Sequence, residues 1–281
     1  MKTDKLPVGE TITFAFRFGT RAIPTLMRLG WLPLALMVGG FALVGWGLAD
    51  TPMMAAKIGF GGILTLAGTL LFVPIYVILI REAAGGYKAP PGLFVLSFGG
   101  REARVLGAAF ILGFVFLVVV VGFQVAKLAI GAVASFVVGD GVLGLILSVV
   151  ITLAWFVGIA WFYCATITFV PMAATENRIA LTEAFAATKD NVWRILACVF
   201  VVFGTLFVLA ILIQLMSFAM TGGLMAVGSE VALASIVYAL LTVVVFLALQ
   251  IYQTLVGIAL PGRITGALRG TPDDAVEDVF A

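Results

Sequence analysis

Gln124 and Lys127 stand three residues apart in an otherwise apolar stretch, on one face of a helix one turn long. They are the pair best placed to hold a polar group of a solute inside a membrane. An ionisable group at mid-membrane costs at least about 2.5–3.5 kcal/mol, so it marks a functional candidate. Lys127 lies near the predicted outer end of its stretch, and a headgroup anchor with a snorkelling stem is the competing reading. Gln214 and Gln250 complete the candidate cavity group. Their amides suit either contact with a solute or hydrogen bonds between helices. Other chemistry is sparse. There is no histidine, which removes the commonest metal ligand and the commonest general base near neutral pH. No nucleophile–base pair, carboxylate pair or metal cluster emerges, so no enzymatic activity and no cofactor are expected. Cys164 and Cys198 fall inside apolar stretches and read as small buried hydrophobes.

The cations lie elsewhere, in a pattern. Lys2, Lys5, Arg17, Arg21 and Arg28 precede the first long apolar stretch; Arg81, Lys88, Arg101 and Arg104 lie between the second and third. Arg178, Lys189 and Arg194 lie between the fourth and fifth, and Arg263 and Arg269 follow the sixth. The alternate gaps hold only Lys57 and Lys127, with Asp50, Asp140 and Glu230. By the positive-inside rule both termini are cytoplasmic. Arg17, Arg21, Arg28, Arg101, Arg104, Lys189, Trp193 and Arg194 form a candidate collar for anionic lipid headgroups or another membrane protein. No basic patch stands clear of the membrane, so nucleic acid is not an expected partner.

The elements that carry these residues follow from composition. The chain is 63% hydrophobic and 11% charged, with mean hydropathy +1.23. A soluble domain has about 25% charged residues. Six stretches reach the roughly 20 apolar residues a spanning helix needs: about 29–48, 58–80, 105–130, 142–172, 195–220 and 231–260. The first begins too far from the N-terminus to read as a cleavable signal and is expected to stay as an anchor. The fold class is all-α, a polytopic membrane protein with six transmembrane helices.

A threefold repeat orders the six. The even stretches end near Pro74, Pro171 and Pro261; the odd ones open just after Arg28, Arg104 and Arg194. Upstream of each arginine is a semi-apolar segment, at 12–26, 93–103 and 181–193, expected as an amphipathic interfacial helix. Thr182 reads as the N-cap of the third, and Pro24 is expected to bend or end the first. The hairpin repeats then span about 10–80, 90–172 and 181–262, within a single domain over 1–270, and 271–281 form an acidic, flexible tail. Small residues four apart, Ala109/Gly113, Gly122/Ala126 and Ala154/Gly158, suggest sites of close helix approach.

The stretch Leu181-Thr-Glu-Ala-Phe-Ala-Ala-Thr-Lys-Asp-Asn-Val-Trp-Arg-Ile-Leu196, preceded by Pro171 and Glu176-Asn-Arg178, resembles the membrane domain of glycerophosphodiester phosphodiesterases and related six-span bacterial families. The likeness covers about 25 residues, and the first two repeats keep only the arginine and the proline. It implies a fold and an address in the bacterial inner membrane. It carries over no activity, because the phosphodiesterase catalytic domain has no counterpart here. The expected function is a non-enzymatic, lipid- or protein-associating scaffold or accessory subunit. The alternative is a carrier or channel for a lipidic or small apolar solute.

Overall fold

A computed structural model describes residues 5–49, 53–85, 87–93, 95, 98–138, 142–226 and 232–269, with side chains at 49, 134–138, 217–226, 232–240 and 243 left aside. Asp50, Asp140, Glu230 and the acidic tail lie outside the described residues. The described chain is helical, in the order α1 (Val8–Ala49), α2 (Met54–Ala84), α3 (Gly100–Val138), α4 (Val142–Thr166), α5 (Phe169–Glu176), α6 (Leu181–Thr188), α7 (Val192–Ala226) and α8 (Ala232–Leu268). A short 3-10 turn at Lys189–Asn191 joins α6 to α7. Six helical stretches are long and apolar enough to cross a membrane: Val8–Leu48, Met54–Ala84, Gly100–Val133, Val142–Glu176, Leu181–Met216 and Val244–Leu268. The protein is a multi-pass, all-helical membrane protein.

The first proline does not end its helix. α1 runs unbroken through Pro24 and Pro33 for 42 residues, about 63 Å at 1.5 Å per residue. Pro24 removes the partner of the Thr20 carbonyl. Thr20 and Pro24 both lie on the exposed side, where water or headgroups can bond that carbonyl. The first semi-apolar segment is thus continuous with its span. At the second predicted segment, the described residues between Gly85 and Gly99 are irregular, and helix begins only at Gly100. There Glu102 reaches back to accept a hydrogen bond from Gly99 N–H at 2.9 Å, as in a capping box. Only the third segment forms a separate short helix, α6. Its N-cap is Ala180, with no side-chain cap, and not Thr182.

Pro171 does interrupt its helix. The chain turns at Ile167–Thr168 between α4 and α5. Pro171 cannot bond the Ile167 carbonyl, and its ring crowds it. The break also releases the Ala165 carbonyl, which accepts a hydrogen bond from the buried Thr188 hydroxyl at 2.8 Å. A side chain from α6 therefore satisfies a backbone group that the turn leaves open.

Burial is concentrated at one end. Val73 to Ala84 of α2, Cys164 to Ala174, and Leu255 to Thr265 of α8 are almost wholly enclosed, with Leu6, Phe18, Leu26 and Leu29 from α1 and the residues before it. Pro74, Pro171 and Pro261 are all buried there, and the segments that carry them, α2, α5 and α8, pack on one another. Gly262 and Gly266, one turn apart on α8, let it lie directly against α2: a Cβ at Gly266 would stand 2.4 Å from the Ala84 carbonyl oxygen. Away from this end, α3, α4 and α7 present large apolar side chains outward, including Phe110, Leu128, Leu145 and Phe200. On a membrane helix that is the surface lipid covers.

Between α1 and α2 the contact continues to the far end. Gly40 and Gly47 on α1 face Gly61 and Ile58 on α2, and Gly68 meets the Pro33 carbonyl and Met37. The sequence-predicted small pairs of α3 are not at such contacts, since Gly113 and Gly122 have open space where a Cβ would be. Gly158 on α4 does meet a neighbour, Phe123 of α3. At the far end Lys57 Nζ lies 4.0 Å from the Trp46 ring centroid, a cation–π pair.

Candidate functional site

Three of the collar arginines are clamps between segments. Arg28 on α1 donates to the Pro90 carbonyl at 2.9 Å, in the stretch leading to α3. Arg104 on α3 donates to Asn177 Oδ1 at 2.6 Å, in the stretch leading to α6 and α7. Arg194 on α7 donates to the Leu6 carbonyl at 3.0 Å, in the stretch leading to α1. Each of these arginines thus bonds a segment distant in sequence: Arg28 the one before α3, Arg104 the one before α6, and Arg194 the one before α1.

Leu6 is held twice. Asn191 Oδ1 accepts from Leu6 N–H at 3.0 Å, and both residues are buried. Asn191 and Arg194 together satisfy both backbone groups of one residue, as a neighbouring strand would. Asn191 is held for this by the 3-10 turn after α6. Asn177, the acceptor for Arg104, takes a left-handed conformation (φ 59°) at the C-terminus of α5. Asparagine tolerates that region better than most residues. Beside it, Arg178 pairs with Glu176 and Glu183, and Arg269 also pairs with Glu176, tying the end of α8 to α5.

The other collar residues divide by exposure. Arg17 and Arg21 are exposed one turn apart on α1. Lys189 is exposed on the 3-10 turn, and Trp193, four residues on, is 73% exposed. Arg101 is half-buried. Arg263, counted from the sequence among the basic residues after the sixth span, is buried, with its guanidinium 5.4 Å from the Phe14 ring centroid. Arg81 stacks on Tyr87 at 3.8 Å, a pairing in the irregular segment that sequence reading missed.

The four candidate cavity residues do not share one enclosure. Gln124, Gln214 and Gln250 are exposed on α3, α7 and α8. Lys127 is half-buried, in a cleft between α3 and α4 with Leu128, Gly131, Ala132, Ser148 and Ile151. Its Nζ lies 5.9 Å from the Trp155 ring centroid. Cys164 and Cys198 are buried free thiols, and Cys198 Sγ contacts the Val8 carbonyl at 3.9 Å. Among the described residues, no group of three His, Cys, Asp or Glu side chains could hold a metal ion.

No protein-family model, no curated protein and no solved structure matches the chain.

Proposed function

We propose that this is a non-enzymatic integral protein of the bacterial inner membrane, a scaffold or accessory subunit whose basic end lies at the cytoplasmic leaflet and gathers anionic lipid. The observation that carries the reading is the pair Arg17 and Arg21, exposed one turn apart on α1 at the basic end of the bundle. Arg28, Arg104 and Arg194 bond other segments of the chain, and the side chains of Arg17 and Arg21 are exposed. A basic residue at an anionic membrane surface contributes about 1 kcal/mol. The likeness of residues 171–196 to six-span inner-membrane families supports the address, and the excess of Arg and Lys at this end supports the orientation.

The test compares the lipids and proteins that copurify with the full chain and with Arg17→Glu/Arg21→Glu. The reading expects the wild type to be enriched in anionic over zwitterionic phospholipid relative to the membrane, and expects the variant to lose that enrichment. Equal enrichment in both proteins would overturn it.

A further inference from the structure

We propose that a groove at the basic end holds one diacyl glycerophospholipid, with its phosphate at Lys189. The groove lies between the end of α4, α6 and the start of α7, and its walls include Trp161, Phe185, Thr188, Lys189, Val192 and Trp193. It is open along one side and has a volume of about 340 Å³. That is room for a phosphate and its glyceryl esters, and the acyl chains must therefore leave it.

Each wall has a chemistry. Lys189 brings an exposed ammonium, a compact charge that binds phosphate from any direction. Trp161 and Trp193 are 51% and 73% exposed. Indoles with an apolar body and one N–H donor prefer the ester level of a bilayer, where that donor meets a carbonyl. The floor offers nothing to a soluble anion, because the Thr188 hydroxyl already donates to the Ala165 carbonyl. The exit for the chains is in place. Val157, one turn back from Trp161 on α4, and Phe200, two turns on from Trp193 on α7, are 57% and 78% exposed. Residues at these spacings share a helix face. One cation at the mouth, two indoles at the rim and an apolar track behind them match the order of groups along a phospholipid.

The inference deepens the lipid-associating reading and rests on it for the leaflet concerned. Native mass spectrometry of the full chain, titrated with dioleoyl phosphatidylglycerol, tests it, with dioleoylglycerol and inorganic phosphate as separate probes. One phospholipid adduct is expected to survive detergent removal, with dioleoylglycerol and inorganic phosphate each binding far more weakly. Lys189→Glu should lower the occupancy of that adduct about fivefold or more. Trp161→Ala/Trp193→Ala should lower it too, and Arg17→Glu/Arg21→Glu should leave it unchanged. Lys189, Trp161 and Trp193 are exposed, so unaltered melting temperatures are expected of their variants. An adduct indifferent to Lys189→Glu and to the tryptophan pair overturns the groove, and so does equal binding of dioleoylglycerol or retention of a polypeptide in place of lipid. If only the Arg17/Arg21 enrichment fails, the wider reading falls and the groove stands.

Discussion

Gly40→Ala is expected to lower the melting temperature of the detergent-solubilised protein by roughly 5 °C or more, from an overpacking cost of about 3 kcal/mol. Its neighbour Gly39→Ala is expected to change it little, or to raise it slightly, because alanine is the better helix former. A Cβ on Gly40 would lie 2.3 Å from Thr65 Oγ1, 2.6 Å from the Gly61 carbonyl oxygen and 2.7 Å from Thr65 N. Two of those atoms are backbone of α2 and cannot rotate aside. The helices must part, and every contact along them loosens. Lipid tails are as apolar as the side chains, so helix pairs in a membrane depend on close packing rather than on exclusion of water. Gly39 has nothing within 4 Å of its built Cβ. The contrast repeats on α2, where Gly61 faces α1 and Gly62 faces open space. Thermal unfolding of the four single variants decides it. Equal effects within each adjacent pair would mean that α1 and α2 do not meet through these glycines.

Asn191→Ala is expected to cost about 1–3 kcal/mol, the penalty of a buried amide N–H left without an acceptor. The donor is Leu6 N–H, which bonds Asn191 Oδ1 at 3.0 Å in a buried setting. Arg194 holds the carbonyl of the same residue. The two side chains grip one peptide segment, so Asn191→Ala and Arg194→Ala should be non-additive, the second change costing less once the first has released the segment. Asn191→Asp keeps an acceptor at the same place and should retain most of the stability. Hydrogen exchange at Leu6, read beside the melting temperature, separates this from a general loosening. Exchange there should rise in Asn191→Ala well before it rises in α2. Unchanged protection at Leu6 would show that the clamp does not hold the entry to α1.

The six spans were legible because length and hydropathy alone decide them. What each proline does was not. Pro24 is expected from the sequence to bend or end its helix, yet α1 continues through it, whereas the chain turns just before Pro171. The difference lies in neighbours: Thr20 is exposed at Pro24, whereas Thr188 stands ready to bond the carbonyl released near Pro171. The arginines give the same lesson. Their spacing marked Arg28, Arg104 and Arg194 as related, and each donates a hydrogen bond to a segment distant in sequence. Their partners, at Pro90, Asn177 and Leu6, are backbone or amide oxygens distant in sequence, which no charge pattern announces. The glycine contacts could have been found. A search four residues apart chose Ala109/Gly113 and Gly122/Ala126, but Gly40/Gly47 and Gly61/Gly68 repeat every seven. Seven is the spacing that keeps one seam between two long helices that cross at a shallow angle. The collar residues Arg17, Arg21, Lys189 and Trp193 are exposed.

The proposed role depends on one orientation, with the buried, arginine-clamped end of the bundle facing the cytoplasm. Impermeant maleimide labelling of intact cells tests it most directly, in a Cys164→Ala/Cys198→Ala background carrying either Lys57→Cys or Lys189→Cys. These positions lie at opposite ends of the helices. The account predicts that the substituted position 57 reacts from outside and that position 189 reacts only after the membrane is opened. Labelling of position 189 in intact cells, with position 57 protected, would contradict it and remove the anionic leaflet from the basic end.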